Sequence, residues 1–440
     1  MAYGGGTFIA QNKVLPGTYI NFVSAASSSA ALSDRGIAAI GVTTGWGVSG
    51  DIFSVTSEDF QKHSTELFGS DITSDDLKGL RDIFMNARTV YCYRLDGGGA
   101  KASCTYATAK FPGTKGNSLK IVITANVDDN EKFDVATVYG TQTVDTQTGV
   151  ASASELVSNT WVDFIPTATL AVTAGTALTG GTDGTVNGTA HQTFLDKLEA
   201  YNFNALGCNS AESTIKALYV NYCKRLRDEL GKKFQVVVQG YAADYEGAVN
   251  VKNSVTDTGA SGHELVWWVT GVMAGTAVNA SATAKAYNGE YTVSVPYTQT
   301  QLENAIKAGE FVLHKTPEEG TETVRVLKDI NSLVTTSDTK GDVFKSNQTI
   351  RVIDQIANDT AVIFNGSYLG KVPNDAPGRE ALRTDIVSLH ESLADLRAIQ
   401  DFNAADITIS QGDDAVSVVV TDAITVVNAM EKLYMTVTVA

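Results

Sequence analysis

The sequence predicts an α/β core interrupted by an all-β insert and followed by an α+β C-terminal domain, with strand-forming arms at both chain ends. Three observations carry this. Buried-strand and amphipathic-helix patterns alternate over 36–95 and resume after 191. The stretch between them has short alternating runs, glycine turns and almost no helix signal. Both ends are rich in β-formers: Thr7, Phe8, Ile9, Tyr19, Ile20, Phe22 and Val23 near one, and Leu433, Tyr434, Met435, Thr436, Val437, Thr438 and Val439 near the other.

Taken in order, residues 1–30 read as an arm and a Ser/Ala-rich connector. The first part of the core, 31–96, opens on the buried strand Gly36–Val42. A strand at Asp51–Val55 follows, then a helix capped by Ser57, a second amphipathic helix at Leu77–Asn86 and a strand at Thr89–Leu95. The insert, 97–184, holds the runs Ser118–Ala125 and Phe133–Tyr139 and predicts a small sandwich or barrel. The second core part, 185–345, alternates helix Gln192–Tyr201, strand Asn204–Leu206, helix Ser213–Leu230 stopped by Gly231, and strand Phe234–Gln239. An apolar helix within 265–278, helix Gln299–Ala308 and strand Glu310–His314 complete it. The C-terminal domain, 346–440, predicts helices at Gln348–Ile356 and Arg379–Ile399, then strands at Asp406–Ser410, Ala415–Thr421 and Leu433–Val439.

Totals narrow the function. The 440 residues carry 33 Lys plus Arg against 49 Asp plus Glu, a net charge of −16. Nucleic-acid binding needs clustered cations for phosphate, so it is disfavoured. Glycine is plentiful (39) and proline scarce (7), which suits β structure with glycine turns. The longest apolar stretch, Leu265 to Val278, is too short for a membrane span of about 20 residues. It reads as a buried helix with a small-residue face at Gly271, Ala274 and Gly275. Four separated cysteines without a CxxC, and a start lacking a basic and apolar leader pattern, predict reduced thiols in a cytoplasm.

No motif assembles a catalytic or cofactor site. Gly45-Trp46-Gly47-Val48-Ser49-Gly50 fits GxGxxG. A dinucleotide fingerprint also needs a helix opening on its last glycine, and a strand is expected there instead. His63, His191, His263, His314 and His390 form no ligand pair and lie beside no cysteine. There is no GxSxG elbow, although a Ser–His–Asp arrangement built from distant residues stays open. Asp128-Asp129-Asn130-Glu131 lacks the glycine and spacing of a calcium loop. We expect no enzyme, no cofactor and no metal. Strand-forming ends need partners for their backbone groups, and other copies of the chain can supply them by β-augmentation.

Several tracts resemble contractile phage tail sheath proteins of the Gram-positive branch. GIAAIGVTTGWGVSGDIFSVTSEDFQKHSTELFG resembles the opening of the sheath core, and LRDIFMNARTVYCYRL its next helix and strand. PGTKGNSLKIVI and LTGGTDGT resemble the two ends of the family's β-sandwich insert. The tract 347–402 is similar to the family's C-terminal domain. The resemblance implies a subtilisin-like α/β scaffold without the protease triad. It implies arms that pair with neighbouring copies around an inner tail tube, with baseplate and terminator proteins as further partners and no membrane insertion. It also implies assembly in a bacterial cytoplasm into a phage tail or tail-like particle that contracts. A hydrolase on the α/β core, or another self-assembling subunit, are the alternatives.

Overall fold

A computed structural model describes residues 32–318 and 321–439. The first core segment contains β1 (Ile37–Val42), β2 (Ile52–Thr56), α1 (Ser57–Phe68), α2 (Lys78–Phe84) and β3 (Thr89–Arg94). The cap of α1 is Thr56, not Ser57: its hydroxyl accepts from the Asp59 N–H while the Asp59 carboxylate accepts from the Thr56 N–H. Ser57 is one residue too late because β2 continues through Thr56.

Seven strands follow in the insert: β4 (Lys101–Ser103), β5 (Ala107–Pro112), β6 (Leu119–Ala125), β7 (Phe133–Tyr139), β8 (Gln142–Val150), β9 (Val162–Phe164) and β10 (Thr173–Ala177). They form a three-stranded sheet, β4-β5-β9, and a four-stranded sheet, β10-β6-β7-β8. The two sheets enclose a core that includes Leu119, Ile121, Ile123, Trp161 and Phe164.

The chain then returns through α3 (Gly188–Leu198), β11 (Ala205–Gly207), α4 (Ser213–Asp228), β12 (Gln235–Gln239), β13 (Ala248–Val251), α5 (Leu265–Gly275), α6 (Gln299–Lys307) and β14 (Glu310–Phe311). The central sheet runs β14-β13-β12-β11-β1-β3-β2, parallel except for β2. Helices cover both faces, α1, α2 and α5 on one and α3 and α4 on the other. This double cover explains why β1 and β12 read as continuous apolar runs. Helix α5 is buried on all sides. Gly271 and Gly275 face the α2 backbone and the turn after it so closely that a Cβ would collide with the carbonyls of Ile83 and Asn86.

The expected strand at Glu310–His314 is divided. Glu310 and Phe311 extend the central sheet, and Leu313 opens a hairpin of β15 (Leu313–Glu318) and β16 (Thr321–Val326). The C-terminal region contains α7 (Asn347–Ile363), α8 (Ala376–Asp395), β17 (Ile399–Gln400), β18 (Thr408–Gln411), β19 (Val418–Thr421) and β20 (Thr425–Val426). Helix α7 runs seven residues beyond the expected Ile356, and α8 ends before the expected Ile399, which belongs to β17. The segment Leu433–Val439, expected as a strand, joins no ladder among the described residues.

Candidate assembly interface

Two places on the molecule differ sharply in how completely they are sealed. The first is the joint between core and insert, formed by the glycine-rich loop after β1. Gly45, Gly47 and Gly50 take φ of 64°, 104° and 76°, values that strain other residues. The loop drives Trp46 into the insert, where it is fully buried. Its ring stacks on Trp161 at 5.3 Å and meets Phe111 edge-on at 5.4 Å, while its Nε1–H donates to the Glu66 carbonyl at 3.0 Å. The strand β2 follows the last glycine, so no helix opens on it as a dinucleotide fingerprint requires.

Buried Arg94 closes the same joint. Its Nε donates to Asp96 at 2.9 Å, and its Nη1 to the Pro112 carbonyl at 2.5 Å. Asp96 accepts in turn from the Gly45 N–H at 2.9 Å and, through its carbonyl, from the Gly184 N–H at 2.7 Å. Both chain crossings into the insert are therefore fixed to β3. Lys115 reaches back to Asp76 at 2.9 Å, and this hydrogen bond holds the Asp76 carboxyl below its usual range. The insert's core is thus completed by a residue from outside it, which the glycine-bracketed boundaries did not suggest.

The second place is the C-terminal arm. Its last ladder is β20 against β17. Val427 donates its N–H to the Ala398 carbonyl at 3.0 Å, and Gln348 on α7 grips both the Val427 carbonyl (3.1 Å) and the Ala429 N–H (3.0 Å). Asn428 bonds Ser346 at 3.2 Å and Thr349. Glu431 accepts from Thr283 at 3.0 Å and pairs with Lys328 at 3.3 Å. Beyond that, Lys432 to Val439 makes no hydrogen bond among the described residues. Leu433, Tyr434 and Val439 are 86%, 87% and 89% exposed, and Met435 and Val437 are also exposed. Thr436 and Thr438 lie open as well. Eight extended residues reach roughly 25 Å.

At the other end, Thr7, Phe8, Ile9, Tyr19, Ile20, Phe22 and Val23 lie outside the described residues. The root that follows them is held by the same helix. Asp359 of α7 accepts from the Ser33 hydroxyl (2.5 Å) and N–H (3.3 Å), and Gln355 donates to the Ser33 hydroxyl at 2.8 Å and to Asp359 at 2.6 Å. Arg35 caps the C-terminus of α5 through the Met273 and Thr276 carbonyls at 3.0 and 3.1 Å. Burial, with Arg351 nearby, lowers its pKa to about 10.

The region where an α/β enzyme would work has a different character. At the C-terminal ends of β1 and β11, where the strand order reverses, lies a cleft of about 650 Å³ lined by Thr44, Lys78, Asn209, Asp257 and Glu264 among others. Several of its polar groups pair with each other: Lys78 with Asp257 at 2.9 Å, and Glu264 accepting from Asn209 at 3.1 Å and Trp267 at 2.7 Å. No histidine lines it. His191 bonds Tyr219 at 2.9 Å, and burial lowers its pKa. His63 pairs with Glu66 on an exposed helix face. His390 places one ring nitrogen 2.8 Å from the Ile386 carbonyl and the other 2.8 Å from Asp422. Burial opposes its charge, but the hydrogen bonds to Asp422 and Ile386 outweigh that and hold its pKa above the usual value. Among the described residues no group of three or more metal-ligating side chains converges, and no helix is long and apolar enough to cross a membrane.

Comparison with known proteins decides the family. Models of the phage tail sheath protein β-sandwich, central and C-terminal domains match residues 96–183, 184–332 and 339–440. The chain belongs to the phage tail sheath family. The phage-like element PBSX protein XkdK of Bacillus subtilis is 34% identical over 99% of both chains. The crystal structure of the sheath tail protein from Desulfitobacterium hafniense superposes with a TM-score of 0.81 at 34% identity, covering 95% of this chain and 99% of that one. The anti-feeding prophage helical sheath in its contracted state shares the fold, with a TM-score of 0.58 at 13% identity over 97% and 99% of the two chains. This sheath-family chain therefore has a sheath-protein fold with a β-sandwich insert and a C-terminal domain.

Sequence reasoning missed the arm roots. Ser33, Gln348, Gln355, Asp359, Asn428 and Glu431 belong to no motif in the sequence. The available signal was in α7: Asn347, Arg351, Asp354 and Gln355 recur at helical spacing and are all buried. A polar stripe of that kind reads as a solvated face until its partners are known.

Proposed function

We propose that this chain is the repeating structural subunit of a contractile tail sheath, which polymerises around an inner tube and shortens to drive the tube through a cell envelope. The observation that carries this reading is the arm after Glu431: β-forming, apolar and exposed, yet tied to the body by a dense root. Leu433, Tyr434, Met435, Thr436, Val437, Thr438 and Val439 are the strand offered to a neighbouring copy. Thr7, Phe8, Ile9, Tyr19, Ile20, Phe22 and Val23 are the strand offered from the other end. A six-residue ladder supplies about six hydrogen bonds at about 1 kcal/mol net each. Burial of a side chain such as Tyr434 adds roughly 1.5–3 kcal/mol. That is enough to keep copies linked while their bodies exchange weaker contacts.

The finer reading follows the same logic. The doubly covered sheet is a subtilisin-like core used as scaffold, without enzymatic work; its cleft has no histidine in its lining, and its Lys78 and Glu264 are held by neighbours. The divisions are an arm at 1–30, core parts at 31–96 and 185–345, an insert at 97–184 and a C-terminal domain at 346–440. Partners are copies of the chain, an inner tail tube protein, and baseplate and terminator proteins. Assembly in a bacterial cytoplasm suits four free cysteines, of which Cys92, Cys208 and Cys223 are buried; burial pushes the Cys208 and Cys223 thiols up to about 12. Negative-stain microscopy of the purified protein tests the reading: hollow tubes or striated sheaths are expected. A protein that stays monomeric at every concentration and hydrolyses peptides or esters would overturn it.

A further inference from the structure

Both arm roots lie on one helix. Ser346, Gln348 and Thr349 hold the C-terminal root and Gln355 and Asp359 hold the N-terminal one. From Gln348 to Asp359 the helix advances roughly 16 Å, at about 1.5 Å per residue. Between these grips, Ile350 and Val352 are buried beside Arg351, Asp354 and Gln355, an unusually polar set for a buried helix face. Arg227 forks onto Asp354 at 2.6 and 2.7 Å, Arg351 reaches Asp329 at 2.5 Å, and Asn347 links Asp329 (2.9 Å) to Gln235 (2.8 Å). Asn358 bonds the backbone of Lys233 through both its amide oxygen (3.1 Å) and nitrogen (2.8 Å). Apolar packing sets register through shape alone. Forked, directional bonds fix one axial register.

We infer that α7 is a tie-bar, carrying load from one arm to the other along its own axis while its buried polar face holds it in register with the core. The inference rests on the reading of the arms as inter-subunit links. A pull on Leu433 meets the bonds of Glu431 first, then those of Ala429 and Asn428, before it reaches β20 and β17. A pull arriving from the N-terminal side meets Ser33 on Asp359. Helix α8 touches the roots only through apolar packing, on Leu32 and Val426. It packs through Leu382, Ile386, Leu389 and Leu393, and none of its side chains hydrogen-bonds residues 33–35 or 427–431. Ser33, Gln348, Asp359 and Asn428 are accordingly positioning residues for the arms.

The test uses the full-length chain and compares urea dissolution of preformed tubes with urea unfolding of the unassembled chain. Ser33 and Asn428 are both exposed, so the double variant Ser33→Ala/Asn428→Ala spares the cores. Its unfolding midpoint should fall slightly, because the bonds of Ser33 to Asp359 and of Asn428 to Thr349 lie within the subunit, while its tubes dissolve faster than that fall accounts for, by roughly fivefold for each root bond lost. A matched pair of helix substitutions separates tie-bar from general weakening. Ala357→Gly lies between the grips on α7, and Ala381→Gly lies on α8. Both carry a similar helix penalty. Only Ala357→Gly should speed tube dissolution beyond its effect on the unassembled chain. Wild-type dissolution rates for the root variant, or equal excess effects from both glycines, would overturn the tie-bar and leave the arms as inter-subunit links. If chains lacking either arm still assemble normally, the arm reading fails and the tie-bar fails with it.

Discussion

The core–insert joint and the C-terminal arm are opposite solutions to the same difficulty, a chain segment that must not be left with open backbone and apolar surface. At the joint everything is closed within one molecule: Trp46 and Arg94 are buried, and both chain crossings are bonded to β3 or its loop. At the arm, closure stops at Glu431 and the apolar residues beyond it remain in solvent. A buried aromatic plug makes two sheets into one rigid body. A dense polar root followed by an open segment makes a fixed tether with a free end. On the proposed reading, the difference separates what this chain closes by itself from what a neighbouring copy would close.

The largest expected effect breaks the sealed side. Excising residues 97–184 and joining Asp96 to Thr185 through a short linker removes Trp161 and Phe111 from around Trp46. The remaining core should aggregate, and adding Trp46→Ser should restore solubility. A soluble, cooperative core with Trp46 intact would mean the joint is dispensable. Next in size, Trp46→Ala in the full chain should cost about 3–5 kcal/mol, as other large-to-small changes in cores do. Urea unfolding reads this directly, and Tyr434→Ala in the same assay should change nothing, because that ring is 87% exposed.

A smaller effect sharpens the arm side. His390 faces the Ile386 carbonyl and the Asp422 carboxylate, so both ring nitrogens must donate and the charged form is favoured. Asp422 lies three residues before β20, where the arm's route is set. With the folded-state pKa raised, the stabilisation is full below the ordinary histidine value of about 6.5 and fades as pH rises through the raised value. Wild type should therefore out-melt His390→Gln most at about pH 6, with the gap closing as pH rises through the raised value. A gap that widens with pH would show that the histidine is held neutral.

The sequence made the doubly covered sheet legible because parallel strands and their helices repeat one simple pattern. The apolar runs of β1 and β12 and the small-residue face of α5 each pointed to their place. Short strands were harder. Residues 248–251 follow a turn without alternation, and only pairing with β12 makes them β13. The division at Val312 was hidden because Glu310–His314 is one uninterrupted β-forming run. The β-forming composition of the two chain ends was legible, but the residues that root the C-terminal one were not. Root residues are polar side chains bonding distant backbone, such as Gln348 to Val427 or Asp359 to Ser33, and no local pattern announces such partners. Trp46 stayed hidden for a related reason: a tryptophan amid glycines looks like a ligand loop until the insert closes over it.

The central claim is that the exposed C-terminal segment is a strand kept for another copy of the chain. Deleting Leu433–Val439 and measuring two quantities on the same preparation tests it most directly: the thermal unfolding midpoint of the unassembled chain, and the yield of tubes by electron microscopy. The account predicts an unchanged midpoint, since these residues make no hydrogen bond to their own body, together with loss of connected tubes. A midpoint that falls in step with tube yield, or a full yield of tubes without the segment, would contradict it.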